Sequence, residues 1–124
     1  MTKSSLNHIS AVRIFVHDLG VSKEFFIDKL GLPLSLEIPA CLIFKTGGTQ
    51  LIIEPIAIDD QEHKEYVGRF TGISFDVINI KAVHKQLIDK GVVFDSGPSK
   101  QDWGGALAHF KDPDGNILTL VEHF

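Results

Sequence analysis

Four polar side chains in this sequence, Arg13, Glu54, Asp76 and His109, are of types that can move a proton or hold one charge against another. A carboxylate beside a histidine can act as base and acid on an enolisable carbonyl compound, and Glu54 and His109 are the candidates for that catalytic work. The same residues also read as plain structure, because an Arg13–Asp76 or Arg13–Glu54 ion pair on a solvated strand face needs no substrate. Phe15 and Trp103 offer flat contact area instead, and Trp103 is followed by Gly104-Gly105, where a backbone can be approached closely. His17, His63, His84 and His123 fall in loops, on a helix exterior or at the terminus and are expected to be solvated. Cys41 is a lone cysteine, so neither an intrachain disulfide nor a Cys-based zinc site is expected, and nothing basic beside it suggests an activated thiolate. The chain carries no Ser-His-Asp pattern, phosphate loop or dinucleotide fingerprint.

The elements that must position these residues follow from periodicity and punctuation. His8 to Val16 reads as a strand. Asp18 can cap a helix over about Val21 to Leu30, with Val21, Phe25, Phe26 and Leu30 inward and Gly31 as its stop. Three strands follow, about Leu34–Ile38, Cys41–Lys45 and Gln50–Glu54, with Pro39 and Gly47-Gly48 in the gaps. Ile58–Arg69 is polar and reads as an exposed linker with room for a short helical turn. The pattern then restarts. Thr71 to Val77 is a strand, and Asn79 can cap a helix over Ile80 to Lys90. Ile80, Val83 and Leu87 face inward there, Lys81, Lys85 and Lys90 form the wet face, and Gly91 is the stop. Val92–Phe94 is a short strand. The run Trp103 to Val121 is a hairpin whose turn, Asp112-Pro113-Asp114-Gly115-Asn116, combines a fixed φ, two Asx side chains and a glycine.

The restart is an internal repeat. A slide of 61 residues pairs Val16 with Val77, Asp18 with Asn79, Phe26 with Leu87, and Ile27-Asp28-Lys29 with Ile88-Asp89-Lys90. A slide of 67 pairs Gly48 with Gly115, Leu51 with Leu118 and Ile53 with Leu120. Capping residues and helix stops fall in step with the apolar positions. The expected fold is α+β, two βαβββ modules forming a curved mixed sheet around a groove. The expected division is one domain over residues 1–124, with module one at about 6–56, a linker at 57–69 and module two at 70–124.

A duplicated βαβββ unit closed by a strand, Asp-Pro-Asp-Gly-Asn and a last strand resembles the vicinal-oxygen-chelate superfamily, which holds glyoxalases, bleomycin-resistance proteins and extradiol dioxygenases. Strand alternation gives the side chains that should face the groove. They are Ala11, Arg13 and Phe15, then Gln50, Ile52 and Glu54, then Gly72, Ser74 and Asp76, with Leu107, His109, Ile117, Thr119 and Val121 from the hairpin and Trp103 just before it. Metal-dependent members of this superfamily place His, Gln or Glu at the groove floor. By the resemblance those positions fall here on Ala11, Ile52, Gly72 and Thr119, and three of the four carry no donor. His8, which opens the first strand, is the one alternative ligand, with Glu54 near a suitable register.

The resemblance therefore implies the metal-free, bleomycin-resistance-like branch, with no cofactor. The expected activity is binding of a small apolar or aromatic molecule in the groove, by sequestration, in a homodimer. Two alternatives stay open: a metal-independent isomerase or lyase using a groove carboxylate or histidine, and a metal-dependent lyase or dioxygenase with an unusual ligand set. With 12 Lys+Arg against 16 Asp+Glu the formal charge is −4, which argues against nucleic acid or an anionic membrane as partner. No stretch is long and apolar enough to span a bilayer, and Met1-Thr2-Lys3-Ser4-Ser5 lacks the apolar core of a signal peptide, so a cytoplasmic location is expected.

Overall fold

The computed structural model describes residues 4–124; Met1, Thr2 and Lys3, where the amino-terminal reading began, lie outside the described residues. Strand β1 spans Ala11–Val16 and is followed by helix α1, Leu19–Lys23, which continues into a π-helical turn over Glu24–Lys29. Strands β2 (Leu34–Ile38), β3 (Cys41–Thr46) and β4 (Thr49–Pro55) complete the first unit. After a single 3₁₀ turn at Lys64–Tyr66 come β5 (Phe70–Asp76), helix α2 (Ile80–Asp89), the two-residue strands β6 (Val93–Phe94) and β7 (Ser99–Lys100), then β8 (Ala106–Lys111) and β9 (Ile117–Glu122).

These strands form two mixed sheets, ordered β1-β4-β3-β2 and β5-β9-β8-β6, with β7 paired to β8. The sheets repeat in register as well as in order. Parallel β1 and β4 set Arg13 opposite Ile52 and Phe15 opposite Glu54. Parallel β5 and β9 set Ser74 opposite Thr119 and Asp76 opposite Val121. Those are the same pairs displaced by 61 residues on one strand and 67 on the other.

One buried cluster takes residues from both sheets and both helices, among them Ile14, Phe26, Phe44, Leu87, Phe110 and Leu118. Phe110 joins the halves, since its ring lies 6.5 Å from Phe25 of the first and 5.4 Å from Phe94 of the second. Each sheet therefore has one face in a shared core. The opposite face of each carries the residues that alternation turns outward.

Several local expectations are corrected. The first strand begins at Ala11 rather than His8, although Ser10 O still accepts from Gln50 N at 2.9 Å. Asp18 caps α1 as expected, through Val21 N at 3.1 Å, but Val21 is 48% exposed and Ser22 takes the inward position. The helix then widens into the π turn, closed by Leu30 N donating to Phe25 O at 3.0 Å. Ser22, Phe25 and Phe26 stand at the i, i+3, i+4 spacing of one helix face, and all three are buried. Strand β7 falls in a Ser/Pro/Lys-rich stretch that carries no strand pattern.

Candidate functional site

The outward face of the first sheet is organised by Arg13. Its Nε and Nη2 donate to Glu54 Oε2 at 2.9 and 2.7 Å, one strand over. Its guanidinium carbon stands 5.1 Å from the Phe15 ring centroid. Of the two ion pairs foreseen, Arg13–Glu54 forms; Asp76 instead lies 3.8 Å from His123 Nε2. The Arg13 side chain is 58% exposed and Glu54 26%, so this pair is solvent-screened and contributes little to stability. Its effect is positional: it holds a flat cation over an aromatic ring, where the negative π face attracts it.

The row continues into the linker. Phe15 packs against Tyr66 at 5.1 Å between centroids, and Tyr66 against His63 at 5.2 Å. His63 is not a free solvated imidazole. Its Nδ1 meets Asp60 Oδ2 at 3.0 Å, which raises the pKa of His63 and lowers that of Asp60. Asp60 also accepts from the backbone N–H groups of Glu62 and His63, so the polar run folds into an Asx-type turn that presents Tyr66. Sequence reading missed Tyr66. An aromatic inside an otherwise charged linker was the available signal.

The second sheet's outward face is different in kind. Thr119 Oγ1 lies 2.8 Å from His109 Nδ1, directly across the β8–β9 ladder, and Phe70 meets the His109 ring edge-on at 5.6 Å. Thr119 is buried, with its hydroxyl against His109, the neighbour expected on the same side. Gly72 sits in an irregularity between Phe70 and Ser74, with φ of +74°. Thr71 Oγ1 stabilises this bulge, donating to Ile117 O and accepting from Ile73 N. Gln50, Ile52 and Leu107 are half-buried and Ser74 exposed at their expected faces.

Trp103 lies at the carboxyl end of β9, its ring 5.9 Å from His123 and 6.5 Å from Phe124. The Gly104-Gly105 pair does not open the backbone to a visitor. A Cβ on residue 105 would collide with the indole and with Glu122 O, so the indole itself occupies that space. Trp103 closes the end of the second sheet and keeps 43% of its surface exposed. Two further histidines depart from expectation. His17 Nδ1 lies 2.9 Å from Ile56 O, and the His84 ring packs on Phe94 at 4.5 Å.

The hairpin turn is a clasp between the halves. Asn116 Nδ2 donates to Phe15 O at 3.0 Å and to Asp112 Oδ2 at 2.9 Å, while its Oδ1 accepts from Gly68 N at 2.8 Å. Asp114 Oδ1 accepts from His17 N at 3.3 Å. The row Arg13–Phe15–Tyr66 is therefore anchored from behind by the second half's turn. Burial raises the Asp112 pKa, and hydrogen bonds from Asn116 and from the Asp114 backbone offset part of that.

The positions at which the resemblance places metal ligands offer no donor set that fits an ion. Ala11 and Ile52 carry no donor, Gly72 is left-handed, and Thr119 is taken up by His109. His8 is exposed, and among the described residues no three His, Cys, Asp or Glu side chains converge as a metal-binding group. No helix among them is long and apolar enough to cross a membrane.

Comparison with known proteins agrees with this architecture. The chain is 32% identical over 122 residues to YraH, an uncharacterized protein of Bacillus subtilis (strain 168), covering 90% of this chain and 94% of that one. It superposes on TnmS3, an antibiotic binding protein from Streptomyces sp. CB03234, with TM-score 0.80 and 25% identity over 98% of this chain and 100% of the other. Lactoylglutathione lyase from Agrobacterium tumefaciens shares the fold alone, at TM-score 0.75 and 17% identity over 96% of each chain. Residues 5–120 match the family model, and with the duplicated βαβββ architecture this places the chain in the Glyoxalase/Bleomycin resistance protein/Dioxygenase superfamily.

Proposed function

We propose that this protein binds a small, largely apolar or aromatic molecule on the open face of its first sheet, without a metal, and acts by sequestration. The observation that carries this reading is the uncovered aromatic row, Phe15 against Tyr66 with Arg13 over it, on a face where the superfamily's ligand positions lack donors. A flat ring sliding onto that row would gain dispersion contact with two aromatics, and Arg13 would give it one charged edge. The similarity to an antibiotic binding protein supports the same class of activity. The open faces belong to different sheets, so a homodimer in which the first sheet of one chain faces the second sheet of another would complete a groove. Trp103, Ser74 and Leu107 would then line its far wall.

Catalysis is the less favoured reading. Glu54 Oε2 already accepts twice from Arg13, and His109 is hydrogen-bonded to a threonine rather than a carboxylate. The test is equilibrium binding of a panel of bicyclic and tricyclic aromatic compounds to protein treated with chelator. Saturable binding that Phe15→Ala weakens about tenfold or more is expected, a size typical of losing a well-packed aromatic contact. Binding by no member of the panel, or binding restored only by added divalent ions, would remove the proposal.

A further inference from the structure

A cavity is walled by the end of the first helix, by α2 and by residues of β5, β8 and β9. It measures about 450 Å³ and is walled by Leu30, Leu32, Val77, Val83, Leu87 and Phe110, with Lys29 and Lys90 also on its lining. That volume is in the range that holds small ligands. The two lysines are partners in the 61-residue repeat, each at the carboxyl end of its helix segment. They reach across to each other's module. Lys90 Nζ donates to Asp28 O at 3.3 Å, and Lys29 Nζ lies 3.7 Å from where a Cβ on Gly91 would be. Lys90 is thus not simply part of the wet helix face.

Both ammonium groups stand beside helix carboxyl ends, where positive charge is favoured. Neither takes part in the ion pairs formed among the described residues. Each keeps free N–H donors, because one carbonyl satisfies at most one of the three on Lys90. Asp76 also lines the cavity, but its carboxylate is mostly exposed and lies 3.8 Å from His123 Nε2 rather than against either lysine. The result is an apolar wall with two cations beside it and no acid paired to them. We propose that this crevice is a second binding site, separate from the open aromatic face, for a small monocarboxylate with an apolar body. The tail lies among Leu30, Val83, Leu87 and Phe110, and the carboxylate accepts hydrogen bonds from Lys29 and Lys90.

The probe is octanoate, titrated calorimetrically against the intact chain, with n-octanol as the uncharged control. One site per chain is expected for octanoate. Octanol, and octanoate on the double variant Lys29→Met/Lys90→Met, should each bind about tenfold more weakly, the scale of losing a charge-assisted hydrogen bond. Val83→Phe, which fills the cavity, should abolish binding, with circular dichroism reporting that the variant is folded. Lys81→Met, on the same helix but away from the crevice, should bind as the parent does. Absence of saturable octanoate binding would overturn the proposal. So would equal affinity for octanol, full binding by the lysine double variant, or displacement of octanoate by an aromatic compound bound at Phe15.

Discussion

The two halves of this molecule share a scaffold down to the pairing of individual residues, yet their outward faces have parted. Where the first half has Arg13 and Phe15 opposite Ile52 and Glu54, the second has Ser74 and Asp76 opposite Thr119 and Val121. The first face keeps a regular strand and carries a cation over a ring, extended by Tyr66 from the linker. The second has a glycine bulge at residue 72 and a His109–Thr119 pair, with Trp103 folded over its end. The core-facing residues show no such divergence, since Ile14, Leu51 and Ile53 match Phe75, Leu118 and Leu120 in character. Packing fixes one face of each sheet, and the other face is free to take up different chemistry.

The comparison can be broken most forcefully at the shared core. Phe110 touches aromatics of both halves, so Phe110→Ala should cost about 3–5 kcal/mol in urea denaturation and lower the stability of both together. A variant losing only one half's signal would mean that the modules fold separately. Asn116→Ala should cost about 1–3 kcal/mol, because it removes the side-chain bonds to Phe15 O, Gly68 N and the buried Asp112 carboxylate.

The neighbouring Asp112 has a characteristic pH signature. Its folded pKa is raised above 3.8, chiefly by desolvation. The folded state thus holds the proton more tightly than the unfolded chain does. Stability is therefore lost as pH rises from about the unfolded value through the folded one, and regained on acidification. The stability of the parent relative to Asp112→Asn should therefore fall as pH rises, and denaturation curves from pH 3 upward would read it. A parent that gains on the variant as pH rises would reverse the assignment.

Finer contrasts come from repeat-equivalent positions. Gly72→Ala puts a side chain at φ of +74° and should cost about 1–2 kcal/mol, whereas Ala11→Gly at the matching site should cost about 0.5–1 kcal/mol, both read by thermal denaturation. Equal effects would deny that the bulge distinguishes the halves. The smallest change is expected from Arg13→Ala, under about 1 kcal/mol of stability because the pair is exposed, with its larger effect on ligand affinity.

Much of the scaffold was legible in the residues. The offsets of 61 and 67 carry the β1–β4 pairing onto the β5–β9 pairing, because apolar alternation and capping residues recur together. The π turn in the first helix was not, since Val21, Phe25 and Leu30 also satisfy an ordinary helical period. Alternation puts Arg13, Phe15 and Glu54 on one face, where the three side chains meet. Their partners were harder to foresee. Tyr66 and His63 reach the row only through a linker folded by Asp60, and His17 and His84 find Ile56 and Phe94 through tertiary proximity that no local pattern carries. Gly104-Gly105 signalled a close approach, but what approaches is the adjacent indole.

The most direct test is a ¹H–¹⁵N correlation titration of chelator-treated protein with a tightly binding aromatic compound from the panel. Saturable shifts centred on Arg13, Phe15, Glu54 and Tyr66, in the absence of any divalent ion, are the predicted result. Shifts confined to Gly72, His109 and Thr119, or seen only once a metal is added, would contradict the assignment of the binding surface to the first sheet.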